Sequence, residues 1–188
     1  MIQSKLILVS GYCAAGKSTF SYRLSEELKI PCFNKDLIKE ILGDGFGPDY
    51  DMVLKKGSVV TFKLMEFFAE KIIKAGKSCV LESNFKLYEI EKLKTLAAEN
   101  NCKCLTFIFL GDLDVLYDRY MKRDGAGERH WVHNAAKLTR ENFIKGHLDQ
   151  GMGTAGAGKT IVSESTAFGG TDNDALINEA RKFLIDED

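Results

Sequence analysis

The chain has 188 residues, of which 45% are hydrophobic and 28% charged, and its formal net charge is −1. This length and composition are typical of a soluble globular protein, and we expect one domain over 1–188. The charges form no basic block, and no apolar run is long enough for a signal peptide or a membrane span. We therefore expect no long nucleic-acid partner and no membrane. Five cysteines without a secretory signal fit a reducing cytoplasm.

Short apolar or β-branched runs alternate with segments of helical periodicity along the whole chain. The strands are predicted at 5–10, 30–33, 78–83, 104–110 and 159–165. Helices are predicted at 18–28, 37–42, 59–76 and 88–100, then from 113 and after Asp172. We expect Gly43 to stop the second helix, 43–51 to be rich in turns, and 125–158 to be loop with a short helix. This alternation indicates an α/β fold whose sheet is mostly parallel.

Residues 11–18, GYCAAGKS, match the pattern G-x-x-x-x-G-K-[ST], in which a glycine-rich loop surrounds a phosphate chain. A strand precedes the loop and an amphipathic helix follows it, so backbone N–H groups and the positive end of the helix would face the phosphates. Lys17 would reach the β- and γ-phosphates, and the Ser18 hydroxyl would bind Mg²⁺. We predict an ATP site, and the other residues expected to contact the nucleotide are Gly11, Cys13, Ala14, Ala15, Gly16 and Thr19.

A second octapeptide at 153–160, GTAGAGKT, fits the same pattern. The segment before it, HLDQGM, has no apolar run for a strand, and TIVSES after it resembles a strand where a helix should begin. Without that helix there is no cluster of N-terminal N–H groups to bind an anion. We expect this segment to be a flexible loop that leads into the last strand, so the chain should bind one nucleotide.

The remaining motifs favour a small kinase over two other classes of P-loop protein. A GTPase would carry Asn-Lys-x-Asp after a strand, and NKDL at 34–37 has its acid one place early. An AAA-type ATPase would carry a strand ending in Asp-Glu, and VLES at 80–83 supplies one acid. Asp36 follows the second strand at the edge where such sheets bind ligands, so it could accept the proton of an attacking hydroxyl. Alternatively, Asp36 or Asn34 could simply cap the helix at 37–42.

Charged residues after the third and fourth strands complete the expected site. Glu82 ends the third strand and could hold Mg²⁺ or its water, or it could be a solvated carboxylate. Arg119 and Arg123 lie four apart on one helix face, where they could stabilise the charge of a transferring phosphoryl group. Their alternative role is a solvated basic face. Because a glycine-rich stretch follows, we predict a lid at about 119–135.

His130 and His133 fall within the predicted lid. A catalytic histidine is one interpretation of either residue, and a surface or packing role is the interpretation that we favour. The pocket for the phosphate acceptor is expected from two segments that follow the second and third strands, 44–62 and 84–88.

GYCAAGKS after a strand, NKD after the second, LESNF at the end of the third and DRYMKR in the lid helix together resemble the AAA-domain family of predicted kinases. That family is related to chloramphenicol phosphotransferase, zeta-toxin kinases and nucleoside monophosphate kinases. The resemblance implies a P-loop NTPase fold of three α/β/α layers, with a five-stranded parallel sheet in the order 2-3-1-4-5 and a small lid. It also implies ATP with Mg²⁺ and phosphate transfer to a hydroxyl of a small molecule.

The resemblance assigns Asp36 the role of base or acceptor-binding group, and it makes Arg119 and Arg123 the lid arginines. Glu82 is a departure, since relatives often carry Asp there. The function expected is transfer of the γ-phosphate of ATP to a metabolite, nucleoside or antibiotic-like compound. A nucleotide-binding module, or an ATPase that signals to a partner, is the alternative, and the sequence leaves the acceptor and the oligomeric state open.

Overall fold

A computed structural model describes residues 3–47, 51–125, 129–133, 138–167 and 169–185. Its centre is a parallel sheet of five strands in the order β2-β3-β1-β4-β5, which confirms the predicted order. The strands are β1 (Lys5–Gly11), β2 (Cys32–Asn34), β3 (Cys79–Glu82), β4 (Lys103–Leu110) and β5 (Lys159–Glu164). Every residue of β1 is buried, as expected for the middle strand of a sheet covered on both faces.

Helices cover both faces of the sheet. They are α1 (Lys17–Leu28), α2 (Lys35–Phe46), α3 (Asp51–Lys74), α4 (Leu87–Glu99), α5 (Leu113–Gly125), α6 (Arg140–Asp149) and α7 (Asn173–Ile185), with a one-turn 3-10 helix at Trp131–His133. Leu6 and Leu8 of β1 pack with α3 and α4, whereas Ile7 and Val9 pack with α1, α5, α6 and α7. Alternate residues of one strand thus supply two separate cores, and the predicted three-layer α/β/α architecture is confirmed.

The helices around 43–58 differ from the prediction. Gly43 does not stop α2, which continues to Phe46 and ends before Gly47, whose φ is 80°. A Cβ at position 43 would lie 2.3 Å from Cγ1 of Val132, so this glycine is needed for close packing of the 3-10 turn. α3 begins at Asp51, eight residues before the predicted start at 59. The part of the expected turn-rich segment at 48–50 lies outside the described residues.

Candidate active site

The first octapeptide forms a loop between the end of β1 and the start of α1, as predicted. Gly11 has φ of 119°, and a Cβ there would lie 2.0 Å from the carbonyl oxygen of Phe109. That oxygen accepts a hydrogen bond of 2.9 Å from the N–H of Tyr12, so the loop is anchored to β4 at its first turn. Gly16, with φ of 90°, is the N-cap of α1. Only glycine tolerates this geometry without strain, and the N-terminal N–H groups of α1 point into the loop.

Lys17 is buried at the first position of α1, and its Nζ donates a hydrogen bond of 2.5 Å to the carbonyl of Tyr12. The ammonium group is therefore held inside the loop that would surround the phosphates. A cation in this position would attract the β- and γ-phosphates of a nucleotide.

His147 of α6 supports the loop from the other side. Its Nε2 lies 3.0 Å from the backbone nitrogen of Cys13, and its Nδ1 lies 2.6 Å from the carbonyl oxygen of Phe143. Nδ1 must donate to that carbonyl, so Nε2 accepts from the Cys13 N–H and the ring is the neutral tautomer. Burial lowers the pKa of His147, in agreement with a neutral ring. The imidazole also packs edge-on against Tyr12, with ring centroids 5.2 Å apart.

Sequence reasoning missed His147, because the segment 125–158 was expected to be mostly loop. A signal was present: Phe143 and His147 lie four apart, as on one face of a helix. Both are buried in the structure. Placing this helix against the glycine-rich loop required the tertiary structure.

Ser18 and Glu82, the two predicted Mg²⁺ ligands, lie side by side. The Ser18 hydroxyl donates to a carboxylate oxygen of Glu82 at 3.0 Å, and the Asn34 amide donates to the same oxygen. Glu82 is only 4% exposed, which excludes the solvated alternative. Burial raises the pKa of this carboxyl group to about 6, although the nearby Lys17 ammonium opposes the increase.

Asn34 and Asp36 have separate roles at the start of α2. The Asn34 side chain accepts a hydrogen bond of 2.8 Å from the N–H of Leu37, so Asn34 is the N-cap. Asp36 lies in the first turn, exposed, and lines the same cavity as Ser18 and Glu82. Capping therefore does not occupy the Asp36 carboxylate, which stays available to a ligand.

Arg119 and Arg123 both line this cavity from α5. The Arg119 guanidinium donates to the backbone carbonyls of Ser165 and Thr166, at 2.6 Å for Ser165, and so ties α5 to the loop after β5. The Arg123 guanidinium lies 5.8 Å from the ring centroid of Tyr120. These contacts show that Arg119 is not part of a purely solvated basic face.

Residues 130–133 of the expected lid contact α2, whereas residues 119–125 belong to α5. His130 Nε2 lies 2.8 Å from Asp44, and His133 Nε2 lies 2.8 Å from Glu40. Lys39 adds a hydrogen bond of 2.8 Å to the carbonyl of Val132. These contacts agree with the packing role that we favoured for both histidines, which stays a prediction. The glycine-rich residues 126–128, and 134–135 at the lid's end, lie outside the described residues.

A cavity of about 820 Å³ opens above the carboxyl ends of β1 and β3. It brings the first octapeptide together with the acid of α2, the end of β3 and the arginines of α5. The predicted site residues that line it are Cys13, Ala14, Gly16, Lys17, Ser18, Thr19, Asp36, Glu82, Arg119 and Arg123. Gly11 and Ala15 shape the loop beneath it, since both are buried. From the expected acceptor segments, the cavity receives Ser58, Thr61, Asn84 and Lys86.

A strand, a glycine-rich loop and a helix that together enclose a buried lysine are the features by which a P-loop is recognised. The family model described as an AAA domain matches residues 6–143, more than half of the chain. The chain belongs to this AAA-domain family. The match confirms the resemblance drawn from the short motifs.

Solved structures show the same fold. A proposed kinase from Chloroflexus aurantiacus is 23% identical with a TM-score of 0.81, and the match covers 98% of this chain and 97% of that one. A gluconokinase from Sinorhizobium meliloti is 15% identical, TM-score 0.57, with coverages of 97% and 92%. The Mycobacterium tuberculosis APS kinase, in complex with AMPPNP and APS, is 13% identical, TM-score 0.57, with coverages of 99% and 100%. Among curated protein sequences, none matches significantly.

The second octapeptide of this AAA-domain protein packs against β4 and leads directly into β5. The Ala157 N–H donates to the Thr106 hydroxyl at 2.9 Å, and that hydroxyl donates back to the Ala157 carbonyl at 2.8 Å. Lys159 forms an exposed ion pair with Glu179. No helix follows the segment, so it lacks the anion-binding geometry, as predicted.

Close approach to β4 explains the glycines of the second octapeptide. A Cβ at 158 would lie 2.0 Å from the Cys104 carbonyl oxygen, and a Cβ at 153 would lie 2.5 Å from the Leu110 side chain. A Cβ at 153 would also lie 3.7 Å from Cα of Gly11. The two similar octapeptides are therefore neighbours, and the second forms part of the wall behind the first.

Within the described residues, the structure contains no helix that is both long and apolar enough to cross a bilayer.

Proposed function

We propose that this protein is a kinase that transfers the γ-phosphate of ATP to a hydroxyl group of a small molecule. The observation that carries the proposal is the position of Asp36. Its carboxylate lines the cavity that contains Lys17 and Ser18, while the neighbouring Asn34 caps α2 in its place. A free carboxylate beside the phosphate-binding loop suits a general base better than a structural role.

In the proposed reaction the acceptor hydroxyl oxygen forms a bond to the γ-phosphorus, and the bond from that phosphorus to the β,γ-bridging oxygen breaks. ADP leaves, and the hydroxyl proton passes to the Asp36 carboxylate. The Lys17 ammonium holds the β- and γ-phosphates, and the N–H groups at the start of α1 donate to them. Arg123 and Arg119, which line the cavity from α5, would stabilise the charge on the equatorial oxygens.

The residues at the end of β3 fit a magnesium ion. Mg²⁺ prefers oxygen ligands, keeps several waters and is commonly shared between one or two protein groups and the phosphates. The Ser18 hydroxyl and the Glu82 carboxylate are 3.0 Å apart and supply two such oxygens. The Glu82 oxygen would contact the ion either directly or through a water. When bound, the ion would neutralise charge on the phosphates. Among the described residues no cluster of three or more His, Cys, Asp or Glu side chains offers another metal site.

The names of the similar structures agree with this proposal. They include a gluconokinase and an APS kinase, the latter solved with AMPPNP. The likeness in itself shows a shared fold, and transfer to a hydroxyl group is inferred for this chain from Asp36 and the cavity.

Phosphoryl transfer is tested by incubating the protein with ATP labelled at the γ-phosphate and a panel of sugars, sugar acids, nucleosides and other hydroxyl compounds. We expect label to appear on at least one compound, with one ADP formed for each phosphate transferred. Release of the label to water alone, at a rate that no compound raises, would contradict the proposal and favour an ATPase that acts as a switch.

A further inference from the structure

The charges that line the cavity are strongly unequal. Its two acidic residues are Asp36 and Glu82. Its basic residues are Lys17, Lys35, Lys39, Lys86, Arg119, Lys122, Arg123 and Arg129. Such an excess favours ligands that together carry several negative charges.

The strand order places four of these cations on opposite sides of the P-loop. Arg119 lies on α5, which follows β4, and binds the loop after β5. Lys35 and Lys39 follow β2, and Lys86 follows β3, so these three lie on the opposite side of the P-loop, which follows β1. The side of Arg119 suits the nucleotide. The side of the three lysines lies beyond it, next to Asp36.

One of the three lysines is already neutralised. Lys35 is buried, and its Nζ forms an ion pair of 2.6 Å with the fully buried Glu89. The Glu89 carboxylate also accepts from the backbone N–H of Lys86 at 3.1 Å. This buried ion pair is therefore fixed and neutral, and both oxygens of Glu89 already accept hydrogen bonds.

Lys39 and Lys86 form no such ion pair among the described residues. Lys39 Nζ donates to the carbonyl of Val132, and within the described part of the chain neither Nζ has a carboxylate within ion-pair distance. Burial lowers the pKa of Lys39, the nearby Asp36 carboxylate opposes this effect, and the positive charges of Arg129 and Lys35 add to it. A half-buried cation without a close ion-pair partner is stabilised by an incoming anion.

Polar groups without charge also line the cavity. They are the Ser58 and Thr61 hydroxyls of α3 and the Asn84 amide after β3. Hydroxyl and amide groups can orient the other hydroxyls of an acceptor.

We propose that the acceptor is an anionic hydroxyl compound whose carboxylate or phosphate binds Lys39 and Lys86 while its reacting hydroxyl faces Asp36. This inference rests on the proposed kinase function and adds the substrate class to it. It assigns the two lysines to acceptor binding, apart from the lysine and arginines that would hold ATP.

Binding is tested on protein saturated with Mg²⁺ and AMPPNP, which prevents transfer. The probes are matched sets that differ in one group: glucose, gluconate and glucose 6-phosphate, and glycerol, glycerate and glycerol 3-phosphate. By calorimetry we expect an anionic member of at least one set to bind about tenfold or more tightly than its neutral counterpart. Comparison of the acid with the phosphate ester shows which oxyanion the site prefers. If no anionic member binds more tightly than its neutral counterpart, the inference is wrong.

Two variants, one in α2 and one directly before α4, test which residues cause the anion preference. Lys39→Met and Lys86→Met should each remove most of the advantage of the anionic probe, whereas Lys39→Arg should keep a large part of it. Lys94→Met is the matched control, because Lys94 lies on the exposed side of α4 and pairs with Glu91. An anion preference that survives both Met substitutions would overturn the assignment of these lysines.

The labelled-ATP assay separates this inference from the kinase proposal. Transfer to neutral compounds alone would support kinase activity and overturn the anionic acceptor. An anion preference that depends on Lys39, combined with release of phosphate only to water, would support the anion site and overturn the kinase.

Discussion

The imidazole of His147 accepts a hydrogen bond of 3.0 Å from the backbone N–H of Cys13, so α6 holds the third residue of the P-loop in place. Because His147 is buried and Nδ1 donates to the Phe143 carbonyl, the ring can accept at Nε2 only while it is neutral. His147 is thus a positioning residue, which acts on the nucleotide through the loop.

Replacing His147 with Phe should keep the ring volume against Tyr12 but leave the Cys13 N–H without an acceptor. We expect the free energy of unfolding to fall by about 1–3 kcal/mol, the cost of an unsatisfied buried donor, and ATP binding to weaken. Chemical denaturation and calorimetry measure the two effects. A variant as stable as the wild type would show that water replaces the imidazole at no cost.

The difference in stability between the wild type and His147→Phe should depend on pH. Burial lowers the pKa of His147 in the folded protein from its ordinary 6.5, so the unfolded chain binds the proton more readily. The stability that neutral His147 contributes is complete above pH 6.5 and is lost as the pH falls through the lower, folded-state pKa. The stability gap between wild type and His147→Phe should therefore narrow on acidification. A gap that stays constant from about pH 8 to about pH 5 would contradict this.

Glu82→Gln should gain stability relative to the wild type as the pH rises, whereas His147→Phe should gain it as the pH falls. Burial raises the pKa of Glu82 from 4.5 to about 6, so the ionised carboxylate destabilises the nucleotide-free protein above that pH. The favourable contribution of the protonated form is complete below 4.5 and is lost as the pH rises through about 6. Relative to wild type, we expect the variant to gain on the order of 2 kcal/mol between acidic and mildly basic pH, from an increase in pKa of about 1.5.

The same substitution should reduce phosphoryl transfer with Mg²⁺ and ATP, since it removes a charged oxygen that would face the ion. Denaturation curves at several pH values measure the stability, and labelled ATP measures the transfer. Glu91→Gln, an exposed change on α4, is the control. If Glu82→Gln leaves the turnover number intact, Glu82 does not serve the metal.

Asp36→Asn should lower the turnover number by about 10²–10⁴-fold, because the amide cannot accept the proton of the acceptor hydroxyl. ATP affinity should change little, since phosphate binding depends on the P-loop. Asp44→Asn is the matched control on the same helix, where the carboxylate pairs with His130. Transfer kinetics on an accepted compound, with calorimetry for ATP, distinguish the two variants. Undiminished turnover in Asp36→Asn would remove it from the role of base.

The parallel α/β sheet and the P-loop could be predicted from the sequence because local patterns encode them, whereas the order of the strands followed from the family resemblance. Apolar runs separated by amphipathic segments indicate a parallel sheet, and the phosphate-binding residues of GYCAAGKS are eight neighbours in the chain. Asp36 was found in the same way, by its place directly after a strand. Its competition with Asn34 for the cap could not be decided, because both residue types cap helices and only the geometry shows which one does.

Long-range contacts could not be predicted from the sequence. Gly43 follows a helical segment and so predicts a stop, yet here it makes room for Val132, 89 positions along the chain. His147 lies 134 residues from its partner Cys13. In both cases the structural role of the residue depends on an element that is distant in sequence and packs against it.

Substitutions in the two octapeptides test whether the surrounding structure or the sequence pattern alone determines nucleotide binding. Lys17→Ala should abolish ATP binding, because the buried ammonium has no substitute in the loop. Lys159→Ala should leave ATP affinity unchanged and cost less than about 1 kcal/mol of stability, since its ion pair with Glu179 is exposed. Calorimetry should give one nucleotide per chain for the wild type. Two nucleotides, or a loss of binding in Lys159→Ala, would show that 153–160 is a phosphate site.

The glycines of 153–160 should matter for stability rather than for nucleotide binding. Gly158→Ala would place a Cβ 2.0 Å from the Cys104 carbonyl oxygen at a φ of 66°, so the chain must move apart from β4. We expect a loss of more than about 2 kcal/mol, with one nucleotide still bound per folded chain.

Gly146→Ala is the matched control for that substitution. Gly146 lies within α6, and a Cβ there meets nothing within 4 Å. Because alanine is the better helix former, this variant should be more stable than the wild type by about 0.5–1 kcal/mol. Thermal and chemical denaturation of the two variants measure both effects. Equal stabilities would show that the close packing on β4 does not require glycine, and the resemblance of the second octapeptide to a P-loop would then need another explanation.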